Sequence, residues 1–260
     1  MVRIPISRTC SNGIMLMSRK SSKKQDDRKT ATSAKRLKNS WGKGRQSSPH
    51  IRIRPIRLLI VTEGSKTEPL YFTAFRDRIN QSYGREYITV EIYGLGDNTV
   101  SLFNRAKKLA DRDAEGFTHV WVVYDKDSFP AGDFNVVPEI CKSASTRDTE
   151  YRAAWTNEAF ELWYLLHFGY IDSALSRDAY EPKLTAKLKD EGLGRYQKNR
   201  NDMFDILEDR IDNAISNAER LEKKNAGLSP ANCNPGTTIH QLVKDLLPYI
   251  RSENDVIDHE

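Results

Sequence analysis

Ile56-Arg57-Leu58-Leu59-Ile60-Val61-Thr62-Glu63-Gly64-Ser65 is the stretch on which the fold turns. The run up to Thr62 is aliphatic and β-branched and lacks the alternation of a half-exposed strand. It therefore reads as a short strand buried on both faces. Glu63-Gly64-Ser65 breaks it. Thr67 then stands as the cap of a helix in which Pro69 takes an early-turn position, where its missing N–H costs little. Leu70, Phe72, Ala74, Phe75 and Ile79 supply that helix with an apolar face.

Downstream the same unit recurs. Tyr87 to Tyr93 reads as a second strand, and Gly94 and Gly96 turn the chain. Asn98 suits the cap of an amphipathic helix bearing Leu102, Phe103, Ala106, Leu109 and Ala110 on one side. His119 to Tyr124 is a third apolar run, ending in Asp125-Lys126-Asp127. A shorter helix around Val137 to Ser143 leads to a fourth strand near Tyr151 to Trp155. This alternation predicts an α/β fold with a largely parallel sheet and right-handed crossovers. From Asn157 the pattern turns helical. Asn157 to Phe168 is apolar almost all round, as a buried helix is. Met203 to Lys223 and Thr238 to Ile250 read as two more helices, with a Gly-, Pro- and Asn-rich loop over 225–236 between them.

Upstream the composition changes. Of the chain's 41 Lys and Arg, 16 lie in residues 1–57 beside only two acids, Asp26 and Asp27, a formal charge of +14. The remaining 203 residues keep 25 basic and 34 acidic side chains, a formal charge of −9. Residues 1–50 carry too little apolar surface to offset ordering entropy, so they read as a disordered basic tail. The tail is either a solubilising extension or an arm that neutralises phosphates. Met15 and Met17 raise a downstream start as an alternative to Met1. The expected organisation is a tail over 1–50, an α/β core over 56–156 and a helical part of the same domain over 157–252. Cys10, Cys141 and Cys233 are isolated, which argues against a disulfide framework or a cysteine zinc site. No apolar run approaches the roughly 20 residues of a membrane span. A cytoplasmic protein without membrane association is the expectation.

Chemistry concentrates at strand ends. Parallel strands present their C-terminal ends at one sheet edge, where ligands bind in open α/β folds. Glu63 follows the first strand; Asp125 and Asp127 follow the third. Residues i and i+2 of an extended chain point to one side, so both aspartates can face one ion. Three converging carboxylates repel unless a cation lies among them, and hard oxygen ligands select Mg2+ or Mn2+ over zinc. Such an ion polarises a phosphodiester and activates water. Glu158 reads as a helix-dipole acid. Glu161 stands between large apolar residues, so it is either in the metal shell or in a salt bridge, and His167 reads as a core histidine. Lys66, Lys183, Arg195, Lys198 and Arg200, with Tyr180 and Tyr196, form a basic and aromatic mixture compatible with nucleic acid. Among them Lys66, Lys183 and Lys198 are the candidate phosphate ligands. No Walker A, H-E-x-x-H or G-x-S-x-G pattern is present.

Four stretches carry a family resemblance: Ile60 to Phe72 (IVTEGSKTEPLYF), Val123 to Asp127 (VYDKD), Thr156 to Phe168 (TNEAFELWYLLHF) and Asn234 to Val243 (NPGTTIHQLV). On these the chain resembles the RloB-like proteins, which include the AbiLii component of abortive infection, over roughly Arg57 to Ile250. Ser65, Glu158-Ala159 and Gly236 depart from the family's usual residues; none of them removes a metal carboxylate. The resemblance implies a Toprim-like fold with Glu63, Asp125 and Asp127 in the metal positions. It also implies an ABC-type ATPase partner of the OLD kind encoded nearby, and a role in bacterial anti-phage defence. The expected function is thus a Mg2+-dependent Toprim-type nuclease effector acting on DNA or RNA. In it Glu63 binds metal or relays a proton, Asp125 and Asp127 hold the ion, and Glu161 completes or orients the shell. Self-association is left open. The rivals are a non-catalytic nucleic-acid-binding or sensor subunit, and a phosphatase or nucleotidyltransferase using the D-x-D.

Overall fold

The computed structural model describes residues 55–85, 87–96, 99–127 and 130–251. The expectations for the tail, for the start at Met17 and for the Asn98 cap fall outside those residues. A five-stranded sheet has the order β2-β1-β3-β4-β5, with β1 Ile56–Thr62, β2 Ile88–Gly94, β3 His119–Asp125, β4 Glu150–Asn157 and β5 Gly236–Thr237. The first four strands pair in parallel, and the two-residue β5 pairs antiparallel with the end of β4. The α/β expectation holds, with one antiparallel edge added by the C-terminal part.

The apolar runs are explained by cover on both faces. Leu58 and Ile60 of β1 and Trp121 and Val123 of β3 enter one core, formed with α1 (Thr67–Ser82) and the C-terminal helices. Leu59 and Val61, with Val120, Val122 and Tyr124, enter a second core with α2 (Thr99–Arg112) and α3 (Ala131–Ala144). Each such side chain, fully buried, contributes about 1.5–3 kcal/mol. An apolar run without alternation is what this two-sided cover requires. The Val137–Ser143 helix is longer than expected because Phe134, Val137 and Cys141 repeat at helical spacing and are all buried.

The C-terminal part departs more from the sequence expectation. Asn157 ends β4 rather than opening a helix, and α4 runs only over Glu161–Phe168. The segment read as one helix from Met203 is α6 (Met203–Leu207), a 3-10 turn at Glu208–Arg210 and α7 (Ile211–Lys224). The tight turn is a common connector between α-helices. The last helix, α8 (Ile239–Leu246), passes into a 3-10 turn at Leu247–Tyr249. One further helix, α5 (Arg177–Asp190), has no counterpart in the sequence reading. Among the described residues no helix is long and apolar enough to cross a membrane.

The connection from β1 to β2 runs to one side of the sheet, and β3 returns to the other side of β1. The C-terminal ends of β1 and β3 therefore flank a topological switch point, the crevice where open α/β sheets bind ligands.

Candidate active site at the end of strands β1 and β3

Glu63 is fixed by its backbone. Its N–H donates to Val123 O at 2.8 Å, and its carbonyl accepts from Gly96 N at 2.8 Å, so the residue is tied to β3 on one side and to the turn after β2 on the other. Its carboxylate turns across the edge and accepts the Asp125 backbone N–H at 3.2 Å. Burial, reinforced by Glu68 and Asp127 and opposed by the Asp125 hydrogen bond and Arg177, raises its pKa to about 7.

Asp125 is the last residue of β3 and is 9% exposed. One carboxylate oxygen, Oδ2, accepts the Phe160 N–H at 3.1 Å. The other, Oδ1, is buried with no hydrogen-bond partner. Burial first, and then the charges of Glu68, Glu161 and Glu63, push this carboxyl well above the usual range. A buried carboxylate oxygen without a partner costs about 1–3 kcal/mol or more unless a proton or cation meets it.

Asp127 is placed differently. An extended chain through Lys126, as the sequence suggests, would turn both aspartates to one side, but β3 ends at Asp125 and Asp127 adopts φ +38°. Its carboxylate pairs with the Arg177 guanidinium at 2.6 Å, at the start of α5. The structure thus places Glu63 and Asp125 side by side, while Asp127 faces a cation already supplied by the chain.

Glu161, at the start of α4, is 5% exposed and accepts the Tyr196 hydroxyl at 2.9 Å. The sequence reading passed over its neighbour Glu68, also 5% exposed. Burial and the nearby Glu161 charge raise the Glu68 pKa, against hydrogen bonds from the backbone of Glu68 and Gly64. An acid in the first turn of a helix is common for dipole reasons, so position alone does not mark Glu68; the one available signal was its spacing from Glu63 across a glycine turn. Arg177, the other omission, carries no motif, because its partner is distant in sequence. Thr67 does not cap α1. Its hydroxyl reaches Lys198 O at 3.3 Å, which pins the Arg195–Lys198 segment beside the carboxylates. His167 lies in the core with Nδ1 2.9 Å from Trp163 O, away from this site, as its core reading had it.

Two cavities open on the cluster. The smaller, 180 Å3, is lined by Lys66, Glu68, Asp125, Glu161, Arg177 and Lys198 among others. The larger, 540 Å3, shares Glu161, Arg177 and Lys198 with it and continues along α5 to Lys189 and Arg195. Lys66 and Lys198 therefore stand at the carboxylates, whereas Lys183 is exposed and does not line either cavity.

The donor set suits a hard divalent ion, with four acidic side chains in mutual electrostatic contact and one buried oxygen free of partners. Among the described residues no group of three or more His, Cys, Asp or Glu is already arranged as ion ligands. Mg2+ commonly takes only one or two protein carboxylates and completes its shell with waters and substrate phosphate. Glu63 and Asp125 fit that lean coordination.

A family model described as RloB-like protein matches residues 58–246. No curated protein and no solved structure matches the chain.

Proposed function

The chain belongs to the RloB-like family, and from that premise we propose that it is a Mg2+-dependent, Toprim-type nuclease effector that cleaves phosphodiester bonds of DNA or RNA. The observation that carries the reading is the unpartnered Oδ1 of Asp125 beside Glu63 at the switch point, opening into a cavity lined by cations. Glu63 and Asp125 would hold the ion, with Asp127, now paired with Arg177, as a further ligand within the same turn, and Glu161, fixed by the Tyr196 hydroxyl, would orient the shell. A bound Mg2+ polarises the phosphodiester and lowers the pKa of an attacking water.

The chain's own groups do the rest. Glu63, whose pKa burial raises to about 7 in the metal-free chain, would give up its proton on holding the ion, so ion affinity should rise with pH through neutrality. Lys66 and Lys198 bind the phosphate flanking the carboxylates. Arg177, paired with Asp127 and lining the same cavity, would be placed to meet that phosphate as well. The defence role and the control by an ABC/OLD-type ATPase follow from the family resemblance. In that arrangement the ATPase licenses an otherwise restrained nuclease.

The test is cleavage of plasmid DNA and of bulk RNA by the purified full chain in Mg2+ or Mn2+, with and without the ATPase encoded beside it. Ion-dependent cutting that EDTA abolishes is expected. A chain that binds the ion and nucleic acid but cuts neither polymer under any of these conditions is a sensor subunit, and the nuclease reading fails.

A further inference from the structure

We infer that the substrate strand is unpaired at the cut, and that the nucleotide beside the scissile phosphate seats in the 540 Å3 cavity along α5. The inference rests on the nuclease reading and adds the structural class of its substrate. The carboxylates lie at the floor of a recess, since Asp125, Glu68 and Glu161 are 5–9% exposed. The chamber directly over them is 180 Å3, a third of the volume of the cavity beside it, and is ringed by Lys66, Arg177 and Lys198, which suits a phosphate and its waters. The neighbouring cavity falls within the range of small-ligand pockets, about 300–1,000 Å3.

The two spaces share Glu161, Arg177 and Lys198, so a phosphate bound at the carboxylates delivers its attached nucleoside into the larger one. The lining suits that occupant. Pro182 and Ala186 offer an apolar surface to a ring. Asp178 and Glu181 accept from base N–H groups, as carboxylates do from exocyclic amines. Lys189 and Arg195 remain for the next phosphates. A paired base has its edge engaged and its faces stacked, so entering this cavity costs a few kcal/mol of unpairing, a cost that an unpaired strand does not bear.

The test uses the full-length chain, with fluorescence anisotropy in Ca2+ for binding and gel-resolved cleavage in Mg2+ for cutting, on labelled single-stranded DNA and RNA of about 12 nucleotides and blunt duplexes of the same sequence. Single strands are expected to bind at least about tenfold more tightly than duplexes. Ala186→Trp fills the cavity from an exposed helix position without touching a carboxylate. It should weaken single-strand binding about tenfold and leave duplex binding unchanged. Lys189→Glu, also exposed, is the independent check: single-strand affinity should fall and its salt slope should drop by about 0.7. The basic N-terminal segment contributes equally to parent and variants, so their ratio isolates the cavity. Duplexes bound and cut as well as single strands, or single-strand affinity unchanged in both variants, would overturn the inference and leave the nuclease reading standing. A chain that cuts neither single strands nor duplexes removes that reading, and the inference with it.

Discussion

At Asp125, burial and the charges of Glu68, Glu161 and Glu63 all act in the same direction, against the single hydrogen bond from Phe160. Asp125→Asn keeps the shape and that hydrogen bond, removes the charge, and offers an N–H to the neighbouring carboxylates. Thermal stability in EDTA should therefore stay level or rise, while Mg2+-dependent cleavage falls by about two to four orders of magnitude. A variant less stable in EDTA yet fully active would remove Asp125 from the ion site. His167 gives a separate pH prediction. Burial lowers its pKa from 6.5 to about 4, with Arg210 adding to the effect and the ring's own hydrogen bonds to the backbone of Trp163 and Tyr164 opposing it. Between those values the unfolded chain binds a proton that the folded chain refuses, so stability is lost as pH falls through that window. The slope approaches about 1.4 kcal/mol per pH unit for one such group. His167→Gln should flatten urea-melt stability between pH 6.5 and 4 relative to the parent; an unchanged slope would show that His167 is protonated in the folded core.

The β1–α1 turn that carries Glu63 is held by contact as much as by hydrogen bonds. A Cβ on Gly94, at the end of β2, would stand 2.8 Å from Gly64 O, 3.1 Å from Ser65 Cα and 2.7 Å from Pro69 Cγ. Two of those atoms are backbone and cannot swing aside. Gly94→Ala should cost about 1–3 kcal/mol by overpacking, and should lower cleavage further by displacing Glu63. Equal denaturation midpoints and equal rates for variant and parent would show that the turn yields freely. The elements bearing Glu63 and Asp125 were legible because β1 and β3 are apolar on both faces, and a short, uninterrupted aliphatic run between turn residues fits little besides a strand covered on both sides. Thr67 and Asp127 were misplaced because each was read from local geometry alone, whereas Lys198 and Arg177, distant in sequence, decide where their side chains go. Helix α5 was hidden by Pro182 and seven charged residues, although Tyr180, Leu184 and Leu188 recur every fourth position and are buried. The two residues of β5 carry no periodicity to detect. Arg177 was invisible for the same long-range reason, and Glu68 because an acid in a first helical turn is ordinarily a dipole partner.

At the scale of the whole chain, the sequence divides into two stretches of opposite formal charge. Residues 1–57 carry +14 and the rest carries −9, so residues 58–260 depend on local cations to meet a polyanion, and at the two cavities these are Lys66, Arg177, Lys189, Arg195 and Lys198. Among the described residues the buried members of both hydrophobic cores lie at or beyond Leu58, with Ile56 packed against one of them. Removing residues 1–50 should therefore leave the melting transition in place; aggregation of the truncated protein would move the boundary. The same truncation separates two roles for the basic segment. Each phosphate contact contributes a slope of about 0.7–0.9 to the fall of log affinity with log salt. If the segment neutralises phosphates, its loss should flatten that slope by several such units and weaken binding most at low salt. The cavity contacts made by Lys189 and Lys198 should survive, together with whatever preference for unpaired strands they confer. Titration of labelled single strands against the full and shortened chains across a salt series reads both quantities at once. A slope that does not change on truncation assigns the segment to solubility alone and leaves all nucleic-acid contact to the folded body.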